Sequence, residues 1–62
     1  MRKEELKKMY IDLATIYLAM SKDDGRIAGL KLTLLFINNQ SKKALENNIK
    51  KLVEWLKEES LH

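Results

Sequence analysis

The chain has 62 residues, no cysteine and no proline, and its single histidine is the last residue, His62. A domain this small is marginally stable without reinforcement, and this composition excludes disulfides and a metal site built on cysteine or paired histidines. Twelve Lys or Arg residues are interleaved with nine Asp or Glu residues for a net charge of +3, which is typical of a solvated surface. Because no apolar run approaches the ~20 residues of a membrane span, we expect a soluble chain built from packed helices.

Three helical segments follow one another along the sequence, separated by short polar turns. The first is predicted over about residues 2–21 and the second over about 24–39, where either aspartate of the preceding turn can cap the free amides. Ser41 is a favourable N-cap for the third helix, over about 41–59. Because short loops make sequential helices antiparallel neighbours, we predict an all-α fold, an up-down-up antiparallel three-helix bundle forming a single domain over residues 1–62.

The three helices differ in how much of their circumference is apolar when residues are placed at 100° steps. Helix 3 has one stripe with a flanking residue on each side: Leu45, Ile49, Leu52 and Leu56, with Val53 and Trp55. Helix 2 has two apolar faces: Ile27, Leu30, Leu34 and Ile37, and then Ala28, Leu32, Leu35 and Phe36. Helix 1 has a full-length stripe and a shorter patch, joined through two tyrosines: Leu6, Met9, Leu13, Ile16 and Met20, then Ile11, Ala14 and Leu18. This apolar surplus on helices 1 and 2 indicates a surface that something else covers.

We predict that the full-length stripe of helix 1 is core and that the shorter patch is presented to a partner. A short apolar patch with a polar rim has the composition of an interface. On helix 2 Phe36 is the best anchor, because aromatic side chains dominate interface energetics, and Tyr10 and Tyr17 would lie between core and rim. The predicted partner-binding residues are Tyr10, Ile11, Ala14, Tyr17, Leu18, Leu32 and Phe36. For each of them taken singly, core packing is the alternative interpretation.

Gly29 is the one residue whose helix propensity disagrees with the helix that is predicted around it. Glycine inside a helix costs about 1 kcal/mol relative to alanine. It could allow the close approach of helix 1 or of a partner backbone, or it could be a neutral choice.

The sequence supplies no convergent set of acid, base or nucleophile of the kind that catalysis needs. The paired carboxylates Glu4–Glu5, Asp23–Asp24 and Glu58–Glu59 are sequence neighbours that point in different directions at helix ends and turns. No histidine or thiolate supports a metal among them. We therefore expect no enzymatic activity, no catalytic residues, no metal and no cofactor.

Three kinds of association stay open. The leading hypothesis is a module that binds a target protein, whose identity the sequence does not encode, and the alternative is a self-associating helical homo-oligomer. A helix-turn-helix nucleic-acid binder is disfavoured. Helix 3 offers suitable side chains in Lys42, Lys43, Asn47, Asn48, Lys50 and Lys51. Glu46 and Glu54 lie on the same face, however, and would repel phosphates. Membrane-surface binding is also disfavoured, because short turns tie the amphipathic helices into a bundle.

Several stretches resemble computationally designed three-helix mini-proteins: Arg2–Lys8, Ser41–Glu46 and Lys50–Glu59. The resemblance is one of style and extends over the whole chain in length, loop placement and lack of cysteine and proline. It implies a recombinant synthetic binder in which two helices meet a target protein and the third supports them. Gly29, the pairs Asn38–Asn39 and Asn47–Asn48, and the three methionines depart from an idealised design.

Overall fold

The computed structural model of the chain describes residues 1–61 and contains three α-helices. They are α1 (Lys3–Met20), α2 (Asp24–Leu35) and α3 (Lys42–Ser60), with a short 3-10 turn at Ile37–Asn39. Helices α1 and α3 run in the same direction and α2 runs against them. The predicted all-α, up-down-up three-helix bundle is therefore confirmed. The molecule measures 33 × 20 × 15 Å.

The starts of α2 and α3 are set by the capping residues that the sequence predicts. The Asp23 carboxylate accepts a hydrogen bond from the backbone amide of Arg26 at 3.0 Å. The Ser41 hydroxyl accepts one from the amide of Ala44 at 3.1 Å. Each bond satisfies an amide that has no partner within its own helix, which is why these residue types favour helix starts.

Helix α2 is shorter than predicted, because its regular hydrogen bonding ends at Leu35 and not at Asn38–Asn39. Phe36 leaves the helical conformation at φ −106° and ψ 21°. The amide of Asn39 then donates to the carbonyl of Phe36 at 3.0 Å in the 3-10 turn. Asparagine is a weak helix former, and a tight 3-10 turn commonly ends an α-helix. The early end leaves Phe36 at the junction between α2 and the turn.

The core of residues 1–61 contains buried apolar side chains from all three helices and from the 3-10 turn. They are Leu6, Tyr10, Ala14, Tyr17, Leu30, Ile37, Leu45 and Leu52. The predicted stripe of α3 is confirmed, since Leu45 and Leu52 are buried with Ile49 packed against them. Of the two apolar faces of the predicted second helix, the one with Leu30 and Ile37 turns inward, with Ile37 buried from the 3-10 turn. Burying such a side chain contributes roughly 1.5–3 kcal/mol.

Helix α1 buries a different stripe from the one predicted. Three members of the predicted stripe are exposed: Met9, Ile16 and Met20. The buried stripe runs from Leu6 through Tyr10 and Ala14 to Tyr17, at spacings of four and three residues that keep it on one side of the helix. The apolar arc of α1 is wider than one stripe, and the neighbouring helices cover its middle. Both flanks of the arc are left at the surface.

Helix α2 is the least firmly held of the three. Close backbone approaches join α1 mainly to α3, and α2 comes near α1 at only a few points. At its N-terminal end α2 is tied to α3 by Arg26, whose guanidinium contacts the Glu58 carboxylate. The same guanidinium lies 4.8 Å from the centroid of the Trp55 ring. The neighbouring Glu58 carboxylate, and secondarily the Tyr17 hydroxyl, raise the pKa of Arg26.

Candidate partner-binding surface

The outward side of α2 carries large apolar side chains at its C-terminal end. The exposed fraction is 59% at Leu32, 74% at Leu35 and 50% at Phe36. They remain outside because α2 is anchored by Leu30 on its opposite side and by Ile37 in the following turn. The sequence placed Leu32 and Phe36 here, but it did not single out Leu35 as a binding residue. Its position on the same apolar face as Leu32 was the signal that could have identified it.

On α1 the apolar flank next to the 3-10 turn is also exposed in part, and Ile11 lines a groove there with Ile37 and Asn38. Ile11 is exposed, and Leu18 is half-buried against the core. Between them the Thr15 hydroxyl donates to the Ile11 carbonyl at 2.8 Å, so it places no unsatisfied polar group in the patch. We define the α1–α2 surface by the following five residues: Ile11, Leu18, Leu32, Leu35 and Phe36.

A polar rim borders this surface where α1 meets the 3-10 turn. A shallow groove there is lined by Glu4, Lys7, Lys8, Ile11, Ile37 and Asn38. The ammonium of Lys7 lies 2.7 Å from the Glu4 carboxylate and donates to the Asn38 side-chain oxygen at 3.1 Å. These contacts join the start of α1 to the end of the α2 region and place charge beside the exposed Ile11.

Three of the predicted partner-binding residues, Tyr10, Ala14 and Tyr17, lie in the core instead. Tyr10 and Tyr17 were expected to lie between core and rim, but the helices close over both rings. Burial raises the pKa of the Tyr10 hydroxyl, and the neighbouring Thr33 hydroxyl offsets part of that rise. The buried hydroxyl of Tyr17 has no hydrogen-bond partner within residues 1–61. These three residues lie beneath the surface in the free chain.

No protein-family model, curated protein or solved structure shows a significant match to the chain. Its function has to be inferred from its own residues.

A crevice between α2 and α3 forms a more enclosed space. It is lined by Tyr10, Gly29, Leu30, Thr33, Asn48, Lys51, Leu52 and Trp55. Its volume of about 190 Å³ is below the ~300 Å³ at which ligand pockets begin. A Cβ atom added at Gly29 would meet no other atom within 4 Å. The glycine therefore does not serve a close approach of α1, which removes one of its three interpretations.

The polar side of α3 is partly occupied by contacts within the molecule. The Asn48 amide donates to the side-chain oxygen of Gln40 at 2.6 Å, and the Lys51 ammonium lies 5.8 Å from the centroid of the Trp55 ring. In residues 1–61 no group of three or more metal-ligating side chains is close enough to hold an ion. Over the same part of the chain, no helix combines the length and apolarity that crossing a membrane requires.

Proposed function

We propose that this chain is a protein-binding module that meets a target protein with the α1–α2 surface. The observation that carries the proposal is the cluster of Leu32, Leu35 and Phe36, each at least half exposed at the end of one helix. Fully burying a Leu or Phe side chain contributes roughly 1.5–3 kcal/mol, and this cluster forgoes much of that contribution while the chain is alone. Clustered exposed apolar side chains mark interaction sites.

The surroundings of the cluster are those of an interface. An apolar centre with a polar rim is the usual composition, and Lys7 with Asn38 supplies such a rim next to Ile11. Phe36 is the proposed anchor, because buried aromatic side chains contribute most to binding at interfaces. Helix α3 has a single apolar stripe and supports the other two. The proposal includes a designed origin, supported by the resemblance of its charged helical stretches to designed mini-proteins, and it contains no catalytic step.

The test compares substitutions on the α1–α2 surface with a matched one elsewhere. Immobilised wild-type chain captures the target, mass spectrometry identifies it, and calorimetry then measures the affinity of each variant for the purified target. We expect Phe36→Ala to weaken binding by about tenfold or more and Leu35→Asp to abolish it. Ile16→Asp, a change at a similarly exposed residue on the other flank of α1, should bind like the wild type.

The folded state of each variant is checked by its far-ultraviolet circular dichroism and thermal melt. All three changes are at exposed positions, so the helical signal should persist. Leu18→Asp is less suitable, because Leu18 is half-buried against the core and a charge there should lower the stability of the domain. If Ile16→Asp loses the target while Leu35→Asp retains it, the target occupies the opposite flank and the proposed site is wrong.

A further inference from the structure

A second apolar surface lies on the flank of α1 that faces α3. The α1–α3 face is defined by Met9, Leu13, Ile16 and Met20 of α1 with Val53 and Leu56 of α3. One shallow groove along it includes Met9 and Ile49, and the next includes Leu13 and Val53. Ile16 follows Met9 by seven residues and continues the same side of the helix, where it is 51% exposed. This face shares no residue with the α1–α2 surface.

The two long edges of the α1–α3 face carry opposite charges. Glu5 and Asp12, seven residues apart, form an acidic edge on α1, and both are exposed. Lys43, Lys50 and Lys57, again at intervals of seven, form an exposed basic edge on α3. Residues at this spacing remain on one side of a helix. The face is therefore an apolar strip between an acidic border and a basic border.

The borders lie at corresponding heights along the bundle. Lys43 and Lys50 line the groove that includes Met9, and Lys57 lines the groove that includes Leu13. Glu5 and Asp12 line a depression on α1 together with the same two apolar residues. Each carboxylate on α1 thus has lysines of α3 at a similar height along the bundle axis.

Three charges depart from the pattern, and one of them, Glu54, forms an ion pair with Lys57 at 3.5 Å. Glu46 lies between Lys43 and Lys50 in the groove of the basic edge. Lys8 lies beside Glu5 and Asp12. Each edge still keeps an excess of its own sign, with three lysines against Glu46 and Glu54 on α3 and with Glu5 and Asp12 against Lys8 on α1.

Symmetry determines what this face can bind. A two-fold axis parallel to the helices places α1 of one copy over α3 of the other, so each acidic edge faces a basic edge twice. An axis perpendicular to the helices places like edges over each other, and like charges in apposition are repulsive. A two-fold interface must be self-complementary, and this face is self-complementary in the first arrangement alone.

We propose that the α1–α3 face binds a second copy of this chain in a two-fold dimer, with the acidic edge of each copy over the basic edge of the other. The dimer covers Met9, Ile16 and Met20, and thioether side chains such as those of methionine adapt readily to an apolar contact. Association is a common reinforcement for domains this small. The proposed dimer uses a different surface from the proposed target site. Either proposal can therefore be wrong while the other is right.

The test is sedimentation equilibrium of the full chain at low salt, from about 10 μM to about 1 mM. The weight-average mass should rise from the 7.3 kDa of one chain toward twice that value. Ile16→Glu should abolish the rise, and Leu35→Glu, a matched change on the α1–α2 surface, should leave it intact. A mass that stays monomeric for the wild type over the whole range would overturn the proposal, and so would dimerisation lost in Leu35→Glu but kept in Ile16→Glu.

A charge swap tests the arrangement of the edges without touching an apolar residue. Asp12→Lys and Lys50→Glu should each weaken dimerisation by about tenfold, and the double variant should restore it to within about threefold of the wild type. The two single changes alter the net charge in opposite directions, so a general effect of net charge could not weaken both. Failure of the double variant to recover would overturn the acidic-over-basic arrangement.

Discussion

Tyr17 places a polar group where the core offers it no partner. Its ring is fully buried and lies 5.4 Å from the Trp55 ring, centroid to centroid, at an interplanar angle of 40°. The Tyr17 hydroxyl lies close enough to the Arg26 guanidinium to help raise the pKa of Arg26, after the larger effect of Glu58. The contact does not have the geometry of a hydrogen bond, so the hydroxyl has no partner within residues 1–61. A buried hydroxyl without a partner carries a desolvation cost.

Replacing this hydroxyl with hydrogen should therefore stabilise the domain. We expect Tyr17→Phe to raise the free energy of unfolding by about 1 kcal/mol, measured by urea titration. Tyr10→Phe is the control, because the Tyr10 hydroxyl has Thr33 beside it and its loss should bring no gain. If Tyr17→Phe lowers the stability, the hydroxyl is hydrogen-bonded in solution.

Tyr10 makes the stability of the domain sensitive to alkaline pH. Burial raises the pKa of its hydroxyl above 10.0, so the folded state holds the proton more tightly than the unfolded chain does. The resulting stabilisation is fully present below the unfolded pKa and is lost as the pH rises through the folded pKa. Urea titrations between about pH 8 and about pH 11 should show a smaller alkaline loss in Tyr10→Phe than in the wild type. Equal losses in the two proteins would contradict this prediction, because the other titrating groups are common to both.

At the scale of the single helix, α2 contains an unfavourable residue that the bundle does not require. Because a Cβ atom at Gly29 would meet open space, Gly29→Ala should raise the free energy of unfolding by about 1 kcal/mol. Ala28→Gly, at the exposed neighbouring position, should lower it by a similar amount. A loss of stability in Gly29→Ala would show that the added methyl group clashes with a neighbouring side chain or helix, and would contradict the open space at this position. A gain in stability with weaker target binding would assign the glycine to the approach of a partner backbone.

Helix α2 should also open before the other two. It buries Leu30 alone within its own span, whereas α1 buries four residues and shares most of its close approaches with α3. Helices with few buried apolar contacts open locally at lower free energy. Hydrogen exchange followed by NMR should therefore show amides of residues 27–35 at least about tenfold less protected than those in the middle of α1 and α3. Uniform protection across the three helices would mean that α2 opens only with the whole bundle.

The helices and their caps could be predicted because each depends on local residues. Asp23 and Ser41 cap where a cap was expected, and the single stripe of α3 left one choice of inner face. The end of α2 could not be predicted, since the apolar pattern continues through Ile37. Ile37 belongs to the 3-10 turn, and its side chain is buried there. The apolar pattern shows that Ile37 is buried, but it does not distinguish an α-helix from a 3-10 helix.

The candidate surface could be predicted in part. On α2 polar residues separate the two apolar faces, and Leu32 and Phe36 are exposed as expected, while their binding role stays a prediction. On α1 only Lys3 and Lys7, in the first two turns, interrupt the apolar arc from Ile16 through Tyr17 to Ile11. Beyond Lys7 the sequence contains no boundary between core and surface. The positions of the neighbouring helices select the middle of the arc, and that selection depends on the packing of the whole bundle.

At the scale of the whole molecule, burial of the middle of the α1 apolar arc leaves two separate exposed surfaces, one on each flank of α1. The buried stripe from Leu6 to Tyr17 lies between the α1–α2 surface and the α1–α3 face, so a target on one flank leaves the other free. The two proposals together predict a complex of two chains and two targets, with affinity for the target the same in monomer and dimer. Light scattering of the purified complex measures this stoichiometry, and a complex of one chain with one target at concentrations that dimerise the free chain would contradict it.

Trp55 supplies an internal optical label at the place where all three helices meet. It is the only tryptophan of the chain, and its ring centroid lies 5.4 Å from that of Tyr17 on α1 and 4.8 Å from the guanidinium carbon of Arg26 on α2. Light absorbed by Tyr17 reaches the indole by energy transfer as long as α1 and α3 stay together, whereas the cation perturbs the indole emission only while α2 is docked. Fluorescence can consequently separate the detachment of α2 from the melting of the bundle without any dye attached to the chain.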